Sequence, residues 1–185
     1  KILIRISDNK CSELINDLSR IVLLSNIAGF DGVMIDASFN NIIGELSSKE
    51  YNKRKFGYYS NCNDFIKKAL KQIDVKNNKI ILKISVMTLY CEESKNAFLV
   101  KNKRNFNLNS ILNNIKEYTE LGVDGFEFVF GTKENEFLSI FNNYQGEMIF
   151  EEFYNMIQIF FKDNNIKNKF NEDIIVYCHD NFINY

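Results

Sequence analysis

Twice in this chain a helical pattern runs into a glycine, a short turn, an Asp-Gly pair and then a run of mostly apolar residues. The two stretches are Ala28-Gly29-Phe30-Asp31-Gly32-Val33-Met34-Ile35-Asp36 and Leu121-Gly122-Val123-Asp124-Gly125-Phe126-Glu127-Phe128-Val129. The first glycine of each supplies the left-handed residue that stops a helix, and Asp-Gly turns the chain tightly into a strand. A helix-to-strand junction that recurs builds a parallel sheet wrapped by helices, most often a barrel or a doubly wound sheet.

Periodicity fills in the rest of that pattern. Apolar residues Leu14, Ile15, Leu18, Ile21, Val22 and Leu24 recur at three- and four-residue spacing, which predicts a helix with Asp8 as its N-cap. Residues 1–7 alternate weakly, as a short strand or an extended lead-in. Strands are predicted at 33–36, 80–86, 126–130 and 173–177, with helices at 64–73, 110–121 and 150–161. The polar, aromatic-bearing stretch at 37–62 reads as a long loop of the kind that carries function. The order is β-α repeated about four times. It implies a single α/β segment over 1–185, a partial TIM-type barrel of about four β/α units, with no internal linker.

Composition narrows the function classes. With 45% hydrophobic residues in 185, one domain can bury a substantial core. A net charge of −1 gives neither nucleic acid nor an anionic membrane a reason to bind. The apolar stretches are broken well short of the roughly 20 residues that a membrane helix needs. No charged-apolar-small pattern follows Lys1, and the chain does not begin with Met, which reads as an excised or processed piece. Cys11, Cys62, Cys91 and Cys178 show no C-x-x-C spacing, so no metal site is signalled and a reduced, cytoplasmic protein is expected.

The stretch AGFDGVMIDASFNNIIGELSSKEYNKRKFGYYSNCNDFIKKALKQI, together with Ile80-Ile81-Leu82-Lys83-Ile84-Ser85 and the Leu121-Gly122-Val123-Asp124 junction, resembles the Old Yellow Enzyme family of flavin-dependent oxidoreductases. The Ala-Gly-Phe-Asp-Gly-Val element and Asn52-Lys53-Arg54 carry the likeness most closely. The resemblance implies the middle of an eight-stranded barrel, FMN as cofactor, and hydride transfer from NAD(P)H through flavin to a small-molecule acceptor. It places Asp36 and Phe39 where the family has two donors to the substrate's carbonyl, and Asn41 where it has a proton-donating tyrosine. Lys83 falls where it has an arginine facing the flavin's pyrimidine edge. An ionised carboxylate and a phenyl ring donate no hydrogen bond, so this site has lost carbonyl polarisation, while Lys83 keeps the charge without the planar fork. Binding of FMN by this segment alone is expected to be weak or absent, and its open edges predict self-association or a missing barrel segment.

Each residue also has a plainer reading. Lys83 in an apolar strand could be a snorkelling side chain, and Asp36 at a strand end could cap the following turn. Asn52-Lys53-Arg54 could hold the long loop rather than a ligand. Cys178-His179-Asp180 follows the last predicted strand, and a consecutive run is no triad, since adjacent residues of extended chain point to opposite faces and triads are assembled across space. The aromatic residues at 150–161 have helical spacing and read as core. A non-catalytic barrel segment that serves as a binding or assembly module is the competing interpretation. A third is a β/α enzyme of other chemistry using Asp36 and Lys83 as acid and base.

Overall fold

In the computed structural model, residues 6–38, 41–47, 52, 54–61, 63–73, 75–85, 108–130 and 143–180 are described, with backbone only for 108–110, 130, 143–152 and 178–180. The chain runs α1 (Asp8–Ile27), β1 (Gly32–Ala37), α2 (Ile42–Ser47), α3 (Asp64–Gln72), β2 (Lys79–Ser85), α4 (Leu108–Glu120), β3 (Gly125–Phe130), α5 (Asn143–Asp163) and β4 (Ile175–Asp180). The four strands form one sheet in sequence order, each pair parallel. This is the β/α arrangement that the repeated junction predicts.

The junctions work as their sequences suggest. Helix α1 ends where Gly29 takes φ +82°, and the amides of Gly29 and Phe30 turn back to Asn26 and Ser25 carbonyls. Helix α4 ends at Gly122, φ +99°, with Val123 N–H returned to Tyr118. The α5–β4 junction uses no glycine: Asn165 follows α5 at φ 49°, a backbone that Asn tolerates better than most non-glycine residues.

Alternation along the strands gives each a helix-facing side. Ile35, Ala37, Leu82, Phe126 and Phe128 join Ile66, Leu70, Ile115, Phe153, Ile157 and Phe161 in the main core. Phe128 meets Phe153 edge-on with ring centroids 5.0 Å apart, and Phe126 stacks on Phe161 at 6.4 Å. Phe153, Phe160 and Phe161 of α5 therefore pack in or against the core, as their spacing indicates, while Tyr154 is exposed. A smaller cluster of Cys11, Ile15, Leu46, Tyr59, Phe65 and Ala69 ties α1, α2 and α3 together.

Three expectations change. The N-cap of α1 is Ser7, whose Oγ accepts from Lys10 N–H at 3.2 Å; Asp8 is the first helical residue, where its carboxylate pairs with Arg54 instead. The 37–62 stretch is not one long loop, since α2 forms inside it. The cause is Asn41, whose side chain accepts from Gly44 N–H at 3.0 Å while its carbonyl takes Glu45 N–H, a cap whose signal is masked by the Asn-rich surroundings. The last strand begins two residues later than expected and includes Cys178-His179-Asp180. The possible strand at 1–7 lies almost wholly outside the described residues.

Candidate functional site

The face of the sheet turned away from the helices, here the inner face, carries the chemistry. In register across the four strands lie Asp36, Lys83, Glu127 and Tyr177. Adjacent strands stand about 4.8 Å apart, so side chains in one such row are within reach of one another. The row below is Met34, Ile81, Gly125 and Ile175, a mainly apolar floor. Residues toward the C-terminal ends of parallel strands are where β/α barrels place reactive groups.

Lys83 is held on this face by its neighbour strand. Its Nζ lies 3.1 Å from Glu127 Oε1, with the two side chains only 20% and 11% exposed. A pair this sheltered has weak solvent screening, which holds the Lys83 side chain toward β3 rather than letting it snorkel into water. Glu127 escaped notice in the sequence, although the Phe-Glu-Phe alternation in β3 repeats the signal of Lys83: a charge at an inward position of an otherwise apolar strand.

Asp36 and Asn41 are brought together, and for a structural purpose. Asp36 Oδ1 accepts from Ser38 N–H at 2.9 Å, Ser38 Oγ–H at 2.5 Å and Asn41 Nδ2 at 2.8 Å. Asn41 in turn caps α2 through its other atom. The two side chains thus form a latch between the end of β1 and the start of α2. That latch sits where the backbones nearly touch: a Cβ on Gly44 would lie 1.9 Å from the Ser38 carbonyl. Phe39 lies outside the described residues.

The Asn52–Arg54 segment is also occupied by folding. Asn52 Nδ2 donates to the Leu46 carbonyl at 2.8 Å and the Tyr59 carbonyl at 3.0 Å. Arg54 clasps the Asp8 carboxylate and the Ile6 carbonyl, and Tyr58 N–H donates to Asp8 Oδ2 at 3.1 Å. Lys53 lies outside the described residues. His179 is on β4 with its backbone paired to Val129; its ring is not among the described side chains.

At the opposite, N-terminal end of the strands a buried ion pair was not anticipated. Asp124 is fully buried; its Oδ2 accepts from Ile80 N–H at 2.9 Å and from Lys169 Nζ at 2.7 Å. A cavity between the sheet and helices α2, α3 and α4 is lined by Ala37, Gly44, Ile84, Asn63 and Asn114. Asn63 donates to Asn114 Oδ1 at 3.0 Å, which closes its polar side. Among the described residues no cluster of three or more His, Cys, Asp or Glu could hold a metal, and no helix is long and apolar enough to cross a membrane.

No family model and no curated protein sequence matches the chain. Solved structures do resemble it in fold. Histamine dehydrogenase from Rhizobium sp. 4-9 superposes with a TM-score of 0.52 at 18% identity, over 70% of this chain and 18% of that one. TcOYE, an Old Yellow Enzyme solved with pHBA, gives 0.51 at 16% identity, over 69% of this chain and 35% of that one. The chain thus spans about a fifth and about a third of these two barrel proteins. The likeness carries the α/β, TIM-type fold.

Proposed function

We propose that this chain is the central β/α portion of an FMN-dependent oxidoreductase of the Old Yellow Enzyme type, in which hydride passes from NAD(P)H through flavin to a small-molecule acceptor. The observation that carries the reading is Lys83: a cation on the inner face of β2, at the position where the sequence resemblance puts the flavin-facing arginine, in a sheet whose fold is similar to that of TcOYE. FMN when bound supplies the two-electron carrier; the chain's own contribution is a fixed positive charge at Lys83 Nζ. Glu127 neutralises that charge as the structure stands. Lys83 meets an anionic ring edge by exchanging Glu127 for it, so the lysine supplies the charge that this reading needs, while the Lys83–Glu127 pair is net neutral and no flavin site by itself.

The carbonyl-binding corner supports a narrower chemistry. Asp36 Oδ1 already accepts three hydrogen bonds, and Asn41 is used at both ends of its amide. Asp36 offers no donor toward a substrate, and Asn41 keeps only its second Nδ2–H. The same latch favours the second reading, a barrel segment that binds or assembles without reducing enones.

Flavin binding tests the proposal. The 185-residue chain alone is expected to show no saturable quenching of FMN fluorescence at micromolar protein. A longer polypeptide containing it is expected to bind FMN, and Lys83→Met to weaken that binding about tenfold, or about 1.4 kcal/mol. A full-length protein that binds no FMN, or binds equally well with Met at position 83, removes the flavin reading.

A further inference from the structure

The outward side of α1 changes character halfway along the helix. Cys11, Ile15, Leu18 and Val22 face the interior, and a turn of about 100° per residue then puts Glu13, Asp17, Arg20, Leu24 and Ile27 on the opposite side. The first three are charged, as a solvated helix face should be. The last two are 50% and 73% exposed, with Leu23 beside them at 55% and Phe30, just past the helix stop, at 66%. Ile21 is half exposed too, but it lies on the flank of α1 turned away from the Asn16–Gln72 contact with α3, where a neighbouring helix of a barrel would stand, and it carries no part of the inference. Helices form the outer ring of a β/α barrel, so further strands and helices of the same barrel leave the outward side of α1 uncovered. An exposed, contiguous apolar patch of this kind marks an interaction site.

We propose that the C-terminal half of α1 packs antiparallel against the same half-helix of a second copy, across a two-fold axis that passes between Leu24 and Ile27. Charge commits the patch to this occupant. Arg20 lies about 8 Å toward the N-terminus from the midpoint of Leu24 and Ile27, and Asp31 follows the patch at its other end. Both are exposed, and neither forms an ion pair with another described residue. A two-fold axis through the midpoint sets Leu24 of one copy against Ile27 of the other and brings Arg20 to Asp31 at both ends. The same surface serves both copies, so the contact closes at a dimer. The apolar centre supplies affinity, and the rim charges fix direction and register. A lipid surface or a wholly apolar helix of another protein would leave both charges unmatched. The inference stands apart from the flavin reading and holds with any number of further strands in the barrel.

Sedimentation of the full-length protein that contains this chain tests it, with a dimer expected at tens of micromolar. The double change Leu24→Glu with Ile27→Glu should raise the dissociation constant at least tenfold while the far-ultraviolet circular dichroism stays unchanged. The charge series is the sharper measurement, and it stands even where the apolar variant folds poorly. Arg20→Asp alone and Asp31→Arg alone each place like charges at both ends of the interface and should weaken the dimer about fivefold. The two changes together restore opposite charges across the axis and should regain wild-type affinity within about twofold. A protein that stays monomeric overturns the proposal, as does a dimer that ignores Leu24 and Ile27. A double charge reversal no tighter than the single ones also overturns it, because an occupant other than a second copy cannot be rescued in that way.

Discussion

The two Gly-x-Asp-Gly junctions share a sequence and differ in what they hold. In both, the first glycine has positive φ, and the second lets a neighbouring strand approach: a Cβ on Gly32 would lie 2.3 Å from the Lys79 carbonyl, and one on Gly125 would lie 2.8 Å from Ile175 Cβ. The aspartates part company. Asp31 is exposed and offers its carbonyl to Lys79 N–H, whereas Asp124 is fully buried and binds on both sides, to β2 through Ile80 and to β4 through Ile175 N–H. The motif sets the turn, and position in the sheet sets the worth of the side chain. At the edge strand the carboxylate faces solvent; between two strands it becomes a buried anion that needs Lys169.

Replacing those aspartates should give the largest contrast. Asp124→Ala leaves the Ile80 N–H without its partner and Lys169 with only the Asn78 carbonyl, and is expected to cost about 3 kcal/mol, against less than about 0.5 for Asp31→Ala. Urea unfolding midpoints measure both; equal losses would erase the distinction between edge and centre.

A smaller difference separates the helix-stopping glycines. A Cβ on Gly29 meets nothing within 4 Å, while one on Gly122 meets Val75 Cγ2 at 2.7 Å. Both alanine variants carry the backbone penalty of a positive φ, about 1 kcal/mol, and Gly122→Ala should lose more because Val75 must also move. A Gly29→Ala variant that proves the more harmful would show that backbone strain at the first junction outweighs the Val75 clash at the second.

The smallest effect concerns the helix that leads into the first junction. Burial pushes the Cys11 thiol above its ordinary range, so the folded protein holds this proton more tightly than the unfolded chain. That contribution is fully present below the unfolded thiol's pKa and is lost as pH rises through the folded one, giving a slight fall in stability in mild alkali. Cys11→Ala should flatten this slope, and in the native protein Cys11 should react with a thiol reagent far more slowly than after unfolding. A native Cys11 as reactive as the unfolded one would show that α1 opens readily.

Much of the fold was legible because its signals are local. Glycines with an obligatory backbone, apolar spacing along α1 and α4, and short apolar runs for β1 and β3 require no knowledge of distant residues. What stayed hidden depends on pairings between segments. Lys83 could be seen as odd, but that Glu127 neutralises it follows only from the β2–β3 register. Asp36 and Asn41 were singled out by position, yet their bond to each other and the cap on α2 come from a turn whose Asn sits among many. Lys169 lies 45 residues from the aspartate it serves, with nothing in its vicinity to announce the role.

The latch between Asp36 and Asn41 has a consequence for how this surface can change. Asn41 Oδ1 accepts the Gly44 N–H that starts α2, and Asn41 Nδ2 donates to Asp36 Oδ1, beside the tight approach of Gly44 to Ser38. Replacing Asn41 therefore removes the N-cap of α2, whereas replacing Asp36 leaves that cap and undoes only its tie to the end of β1. In evolutionary terms the latch is a ratchet at position 41: stability opposes any change there until the sequence gives α2 another N-cap.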